Sequence, residues 1–121
     1  MTIKSPDNQI TLYYDPSSRK GKQTLAYAKT HNLAISEIDI RKRPFTGTQL
    51  VEITDKLNIS LKDLADTDSP RFFEKIGKAK EYDKESWIIL LRENPELIKW
   101  PIALKGNHAI LVATPSDILQ L

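Results

Sequence analysis

Short apolar runs and longer amphipathic stretches alternate along the chain from residue 10 onward. Residues 10–14 (Ile-Thr-Leu-Tyr-Tyr) are largely apolar on both faces, which is typical of a strand inside a sheet. A second such run covers 33–40, and an amphipathic stretch at 19–31 lies between the two. A helix between two strands carries the chain back across the sheet, so we predict that the two strands pair in parallel.

The middle of the chain predicts several short helices, because caps, prolines and glycines flank its amphipathic stretches. These predicted helices cover residues 48–57, 61–64, 70–76 and 84–94. Farther on, the apolar runs 100–104 and 109–112 flank a polar turn and predict an antiparallel hairpin, after which Pro115 opens a predicted C-terminal helix.

The order βαβ, helices, ββα predicts an α/β fold with a four-stranded mixed sheet and a helical insertion. We predict a single domain over residues 10–121, preceded by a flexible N-terminal lead over residues 1–9.

Composition narrows the chemistry further. The chain has 18 basic and 16 acidic residues, a net charge of +2, so it gives no strong signal for nucleic acid or an anionic membrane. It has no apolar run of about 18 residues for a membrane span, and the polar start with Pro6 does not resemble a signal peptide. We therefore expect a cytoplasmic protein. With no cysteine and only His31 and His108, we predict no disulfide, no thiol catalysis, no metal site and no cofactor.

The turn after the first strand holds the candidate site. Ser17 or Ser18 is the predicted N-cap of the first helix, and Arg19 and Lys20 follow in its first turn, where backbone N–H groups favour anions. These four residues are candidate anion-binding residues; the alternative is helix capping with solvated surface charge. The basic turn 41–43 also has two interpretations: it contacts a phosphate or an acidic partner, or it is a solvated loop.

Three segments resemble, in order and separation, motifs of the arsenate reductase family, which has a thioredoxin/glutaredoxin-like fold and includes the Spx-type transcription regulators. They are residues 14–18 with Thr24 and Leu25, residues 100–102, and residues 111–119. The resemblance covers about residues 10–121. It implies the thioredoxin/glutaredoxin-like fold, and it places Pro101 at the family's cis-proline, a structural position.

The departures from this resemblance concern the catalytic groups. The family's nucleophilic cysteine corresponds to Ser18, and two of its arginines correspond to Trp100 and Ala113. The position of a third family arginine corresponds to the acidic stretch 65–68, which contains no arginine in this chain. Those arginines would stabilise a thiolate and hold an oxyanion. A single cysteine-to-serine change would explain Ser18 alone, so the pattern favours a naturally inactive member.

We therefore predict a non-catalytic binding or regulatory module with a protein partner, and the Spx-type resemblance makes RNA polymerase one candidate partner class. One alternative is an oxyanion or small-molecule binder at the N-terminus of the first helix. Another is an arsenate reductase or glutaredoxin-type oxidoreductase, on family assignment only. A third is an enzyme of different chemistry centred on Ser18 and Asp15, for which the sequence offers no base.

Overall fold

The computed structural model describes residues 6–78 and 80–121. Four strands form one mixed sheet in the order β2-β1-β3-β4. Strand β1 is parallel to β2 and antiparallel to β3, and β3 is antiparallel to β4. The strands are β1 Ile10–Tyr14, β2 Ile35–Asp39, β3 Ile102–Lys105 and β4 His108–Leu111. The predicted α/β fold with a four-stranded mixed sheet is confirmed.

Within the described residues, five α-helices connect and cover the strands, and each begins where a polar side chain caps its first turn. They are α1 Arg19–Thr30, α2 Gly47–Leu57, α3 Leu61–Leu64, α4 Pro70–Ile76 and α5 Lys84–Glu93. The side-chain oxygens that accept the early N–H groups belong to Ser18, Thr46, Ser60, Ser69 and Asp83. A short polar residue ahead of an amphipathic stretch therefore sets the start of each helix.

The two faces of the sheet carry two separate apolar clusters. Ile10 and Leu12 of β1 pack with Ala28 of α1 and with Ile118 near the C-terminus. On the other face, Tyr13 packs against a larger cluster formed with residues of α2 to α5, including Leu50. Because successive side chains of a strand point to opposite faces, the apolar character of β1 on both faces reflects burial on both sides.

Some elements differ from those predicted in type or in bounds. The C-terminal segment Pro115–Gln120 is a 3₁₀ helix rather than an α-helix, and another 3₁₀ turn occupies Pro95–Leu97. Both are short and begin with proline, as is common for 3₁₀ segments that connect other elements. Strand β2 starts at Ile35 because the N–H of Leu33 still bonds to the carbonyl of Ala28 at 3.0 Å, as part of the exit from α1.

The predicted single domain over residues 10–121 and the flexible lead over residues 1–9 stay predictions, and residues 1–5 lie outside the described part. Of the lead, Pro6 accepts a hydrogen bond from the N–H of Gly106 in the β3–β4 turn at 3.2 Å. None of the helices that the structure describes is both long and apolar enough to cross a membrane.

Candidate functional site

The turn between β1 and α1 is organised by the buried carboxyl group of Asp15, which is 7% exposed. Its Oδ1 accepts hydrogen bonds from the backbone N–H of Ser17 at 2.9 Å and from the Ser17 hydroxyl at 2.7 Å. Its backbone carbonyl accepts the N–H of Ser18 at 2.9 Å. Asp15 therefore fixes the conformation of the two serines that precede the helix.

The side chain of Ser18, the residue at the family's cysteine position, caps α1. Its Oγ accepts a hydrogen bond from the N–H of Gly21 at 3.3 Å. A Cβ at position 21 would lie 2.9 Å from the carbonyl oxygen of Asp15 and 3.1 Å from the ring of Tyr14. Only glycine therefore lets the first turn of α1 approach the end of β1 this closely.

A cavity of about 430 Å³ opens beside Ser18. Its far wall consists of the start of α4 and the segment before β3, which backbone contacts hold together. The N–H of Asp66 bonds to the carbonyl of Leu97 at 2.7 Å, and the N–H of Lys99 bonds to the carbonyl of Leu64 at 2.9 Å. This pairing brings Asp66 and Trp100 into the cavity wall with Ser18.

Carboxyl groups dominate the charged lining of this cavity. Asp15, Asp66 and Glu96 line it, against the single guanidinium of Arg71, whose Nη1 lies 3.9 Å from Oδ2 of Asp15. Burial alone would raise the pKa of the Glu96 carboxyl group. The 2.8 Å hydrogen bond from Lys75, backbone hydrogen bonding and the charges of Lys75 and Arg71 outweigh burial, so the pKa lies below its usual value. The cavity beside Ser18 is therefore a poor electrostatic match for an oxyanion.

Arg71 is the site residue that the sequence did not single out. The resemblance places the third family arginine within the acidic stretch 65–68, and the structure instead brings a guanidinium to Asp15 from Arg71, next to Pro70 at the start of α4. The available signal was a basic residue directly after a serine–proline helix start.

Trp100 fills the wall of the cavity where the family carries an arginine. Its half-buried indole donates a hydrogen bond from Nε1 to the carbonyl of Pro95 at 2.8 Å. Its ring packs against Phe45 with 5.5 Å between centroids. The peptide bond between Trp100 and Pro101 is cis. Trp100 thus replaces a cation with an aromatic ring that has structural contacts.

A second cavity of about 300 Å³ lies on the other side of Trp100 and is lined by Lys20, Pro101 and Ala113, among others. The backbone N–H of Ala113 donates to the carboxylate of Asp117 at 2.9 Å. The two cavities that Trp100 lines thus include Ser18 and Ala113, so the three residues that the resemblance aligns with the family's cysteine and two of its arginines lie around the same pair of cavities.

The four candidate anion-binding residues do not line one common cavity among those that the structure describes. Ser18 lines the first cavity and Lys20 the second, whereas the exposed Arg19 lines neither. The hydroxyl of Ser17 is engaged with Asp15. Within the part of the chain that the structure describes, no group of three or more His, Asp or Glu side chains is placed to hold a metal ion.

Comparisons with solved structures identify the fold as that of arsenate reductase-like proteins. A candidate arsenate reductase from Yersinia pestis matches with a TM-score of 0.83 and 19% identity over 93% of this chain and 99% of that chain. The arsenate reductase from Vibrio cholerae matches with a TM-score of 0.81 and 18% identity over 93% and 96% of the two chains. At these identities the likeness shows the fold alone.

Among sequences, the relatives are regulators. The global transcriptional regulator Spx of Streptococcus agalactiae is 28% identical over 95 residues, which are 78% of this chain and 69% of that protein. The regulatory protein MgsR of Bacillus subtilis is 23% identical over 115 residues, 95% of this chain and 91% of that protein. No family model matches the sequence. The predicted resemblance to arsenate reductase-like and Spx-type proteins is confirmed, in a chain without cysteine.

Proposed function

We propose that this protein is a non-catalytic regulator with an arsenate reductase-like fold that acts by binding a partner protein. One observation carries the proposal: the chain has no cysteine, and Ser18, which the resemblance aligns with the catalytic thiol, lies beside a cavity lined by three carboxyl groups and one guanidinium. Redox turnover of this class requires a thiolate that attacks and then forms a disulfide, and a serine hydroxyl does neither.

Chemistry of another kind at Ser18 has little support. A serine nucleophile needs a base within hydrogen-bond reach, and neither His31 nor His108 lines the cavity. The hydroxyl oxygen of Ser18 already serves as a cap acceptor, and the Asp15 oxygen nearest the turn accepts two hydrogen bonds from Ser17. Both groups therefore have structural roles that account for their presence.

The partner class follows from the relatives. The proteins that resemble this chain in sequence are named as a global transcriptional regulator and a regulatory protein. A regulator that lacks chemistry of its own acts through its surface, and the Spx-type resemblance makes RNA polymerase the first partner to test. Direct binding of purified polymerase to the immobilised protein, at micromolar concentration, measures this part of the proposal.

The catalytic part is tested by assaying arsenate and disulfide reduction with glutathione and glutaredoxin, and separately with thioredoxin. We expect no turnover from the wild type. We also expect none from Ser18→Cys, because Trp100 and Ala113 still stand in place of the arginines that would stabilise the thiolate. Labelling of the introduced thiol by a thiol reagent is the control that this variant carries an accessible sulfur, and its far-UV circular dichroism spectrum shows whether it is folded. Turnover by the wild type would refute the proposal.

The alternative function, an oxyanion site at the N-terminus of α1, rests on the free N–H groups and helix dipole there. The carboxyl groups of Asp15, Asp66 and Glu96 beside Ser18 weigh against it. Titration calorimetry with phosphate, sulfate and arsenate tests it directly. Heat of binding together with a rise in melting temperature at millimolar anion would favour this alternative over the regulator.

A further inference from the structure

We propose that the groove between the basic turn Arg41–Arg43 and the start of α4 docks an acidic segment of a partner protein. This inference rests on the proposed function and deepens it, because it names the surface and the chemistry of the partner. The groove adjoins the cavity beside Ser18 and shares Asp15, Arg71 and Glu96 with it.

The fold gathers cations at this edge. Strands β1 and β2 are parallel neighbours, so their carboxyl ends meet at the same edge of the sheet. Arg19 and Lys20 follow the first of these ends, and the turn Arg41–Arg43 follows the second. Arg71 joins them from α4 through its ion pair with Asp15. Asp39 and Asp15 pair with Arg41 and Arg71, which leaves Arg19, Lys20, Lys42 and Arg43 without an ion pair among the described residues.

The groove itself has a volume of about 410 Å³. Arg41 and Arg71 line it, and Ile40, Pro44 and Pro95 supply an apolar surface between them. Two guanidinium groups around an apolar surface match a segment with an acidic side chain next to an apolar one. Guanidinium groups bind carboxylates through paired hydrogen bonds, which gives such a contact direction as well as charge.

These cations keep capacity for a partner. Arg41 already makes a paired contact with Asp39, with Nε 3.3 Å from Oδ1 and Nη2 3.2 Å from Oδ2, but its side chain is 57% exposed. Arg71 is 56% exposed, and its ion pair with Asp15 is long, at 3.9 Å. Lys42 and Arg43 are exposed, and neither has an ion pair within the described residues.

An acidic protein segment fits this groove better than a nucleic acid does. None of the described residues that line it is aromatic, so unpaired bases would have no ring to stack on. Asp15 and Glu96 also line it and repel any anion, and this repulsion is larger for the dense charge of a phosphate backbone than for one carboxylate. A carboxylate between Arg41 and Arg71 approaches these acids with a single charge.

The experiment measures fluorescence anisotropy of a labelled peptide of alternating glutamate and proline. The comparison probes are the matching lysine–proline peptide and a single-stranded oligonucleotide of equal length. The test variant is Lys42→Glu/Arg43→Glu, because both residues follow the groove-lining Arg41 in the basic turn and neither has an ion pair within the described residues. The matched control is Lys29→Glu/Lys84→Glu, which changes the net charge equally. Both control residues are exposed and lie at the far ends of α1 and α5, about 15 Å from the ends nearest the groove.

We expect the wild type to bind the acidic peptide and not the basic one. The test variant should weaken this binding about tenfold or more, and the control variant less than about twofold. The proposal is wrong if the acidic peptide does not bind at millimolar concentration, if both variants weaken binding equally, or if the oligonucleotide binds more tightly than the peptide. Reductase turnover would overturn the proposed function whatever the peptide does. Absence of both turnover and peptide binding would overturn the docking surface alone.

Discussion

Replacing Trp100 tests whether an aromatic ring has become a structural part of the site in place of the family's arginine. The indole has two kinds of contact that can be removed separately. Trp100→Phe keeps a ring against Phe45 and loses the hydrogen bond to the carbonyl of Pro95. Trp100→Ala loses both.

The size of each effect follows from burial. Removing a fully buried Phe or Trp side chain costs about 3–5 kcal/mol, and Trp100 is half-buried, so we expect a loss of about 2.5 kcal/mol for Trp100→Ala. The hydrogen bond alone contributes about 1 kcal/mol, which we expect for Trp100→Phe. In a chain of this length a loss of about 1 kcal/mol lowers the melting temperature by about 4 °C. We therefore expect the melting temperature to fall by about 10 °C in Trp100→Ala and by about 4 °C in Trp100→Phe.

Urea denaturation followed by far-UV circular dichroism is the suitable measurement, because Trp87 and Trp100 both contribute to fluorescence. An unchanged m-value is the control that both variants unfold from the same compact state. A Trp100→Ala variant within about 0.5 kcal/mol of the wild type would show that the indole is a surface group without a structural role. Equal losses in the two variants would assign the role to the hydrogen bond and none to packing on Phe45.

Two further changes test the frame around the site. Backbone hydrogen bonds from Thr114 and Ala113 hold the pKa of Asp117 below its ordinary value of 3.8. The wild type should therefore lose this stabilisation as the pH falls from about 4 through the lower pKa of the folded state. In thermal melts at a series of pH values, Asp117→Asn should lack that part of the acid dependence. Gly21→Ala should destabilise by about 1–2 kcal/mol despite a better helix propensity, since its Cβ would meet the Asp15 carbonyl at 2.9 Å. In the same denaturation assay Gly47→Ala should lose less stability, because its Cβ would meet only a methyl group of Ile88, at 3.1 Å. A gain in stability from Gly21→Ala would contradict the packing argument.

Most of the fold could be predicted from the sequence because its signals are local. Ser60 and Asp83 precede amphipathic stretches and cap helices at the predicted positions. Strand β1 has the predicted bounds because it is apolar on both faces. The C-terminal helix was predicted but its 3₁₀ type was not, since a proline start followed by spaced apolar residues fits either helix type over one or two turns.

The candidate site was predicted only in part. Ser18, Trp100 and Ala113 could be placed because each stands in a motif with a recognisable neighbour. Arg71 and Asp66 could not, since they reach the cavity through contacts between distant segments. The bridge between Ala65 and Ile98 sets the position of Asp66, and no local sequence pattern predicts this bridge. The acidic lining therefore emerges only from the tertiary structure.

The way polar groups are used at this edge separates binding from chemistry. Asp15 holds the turn, Ser18 caps α1, Trp100 is tied to Pro95, and Glu96 is tied to Lys75. Each has a structural partner, and among the described residues no buried side-chain nitrogen or oxygen lacks a hydrogen bond. Lys42 and Arg43, by contrast, are exposed and have no ion pair among the described residues, so they can gain a partner without breaking a contact of the fold. This difference supports the proposed docking surface at the Arg41–Arg43 turn.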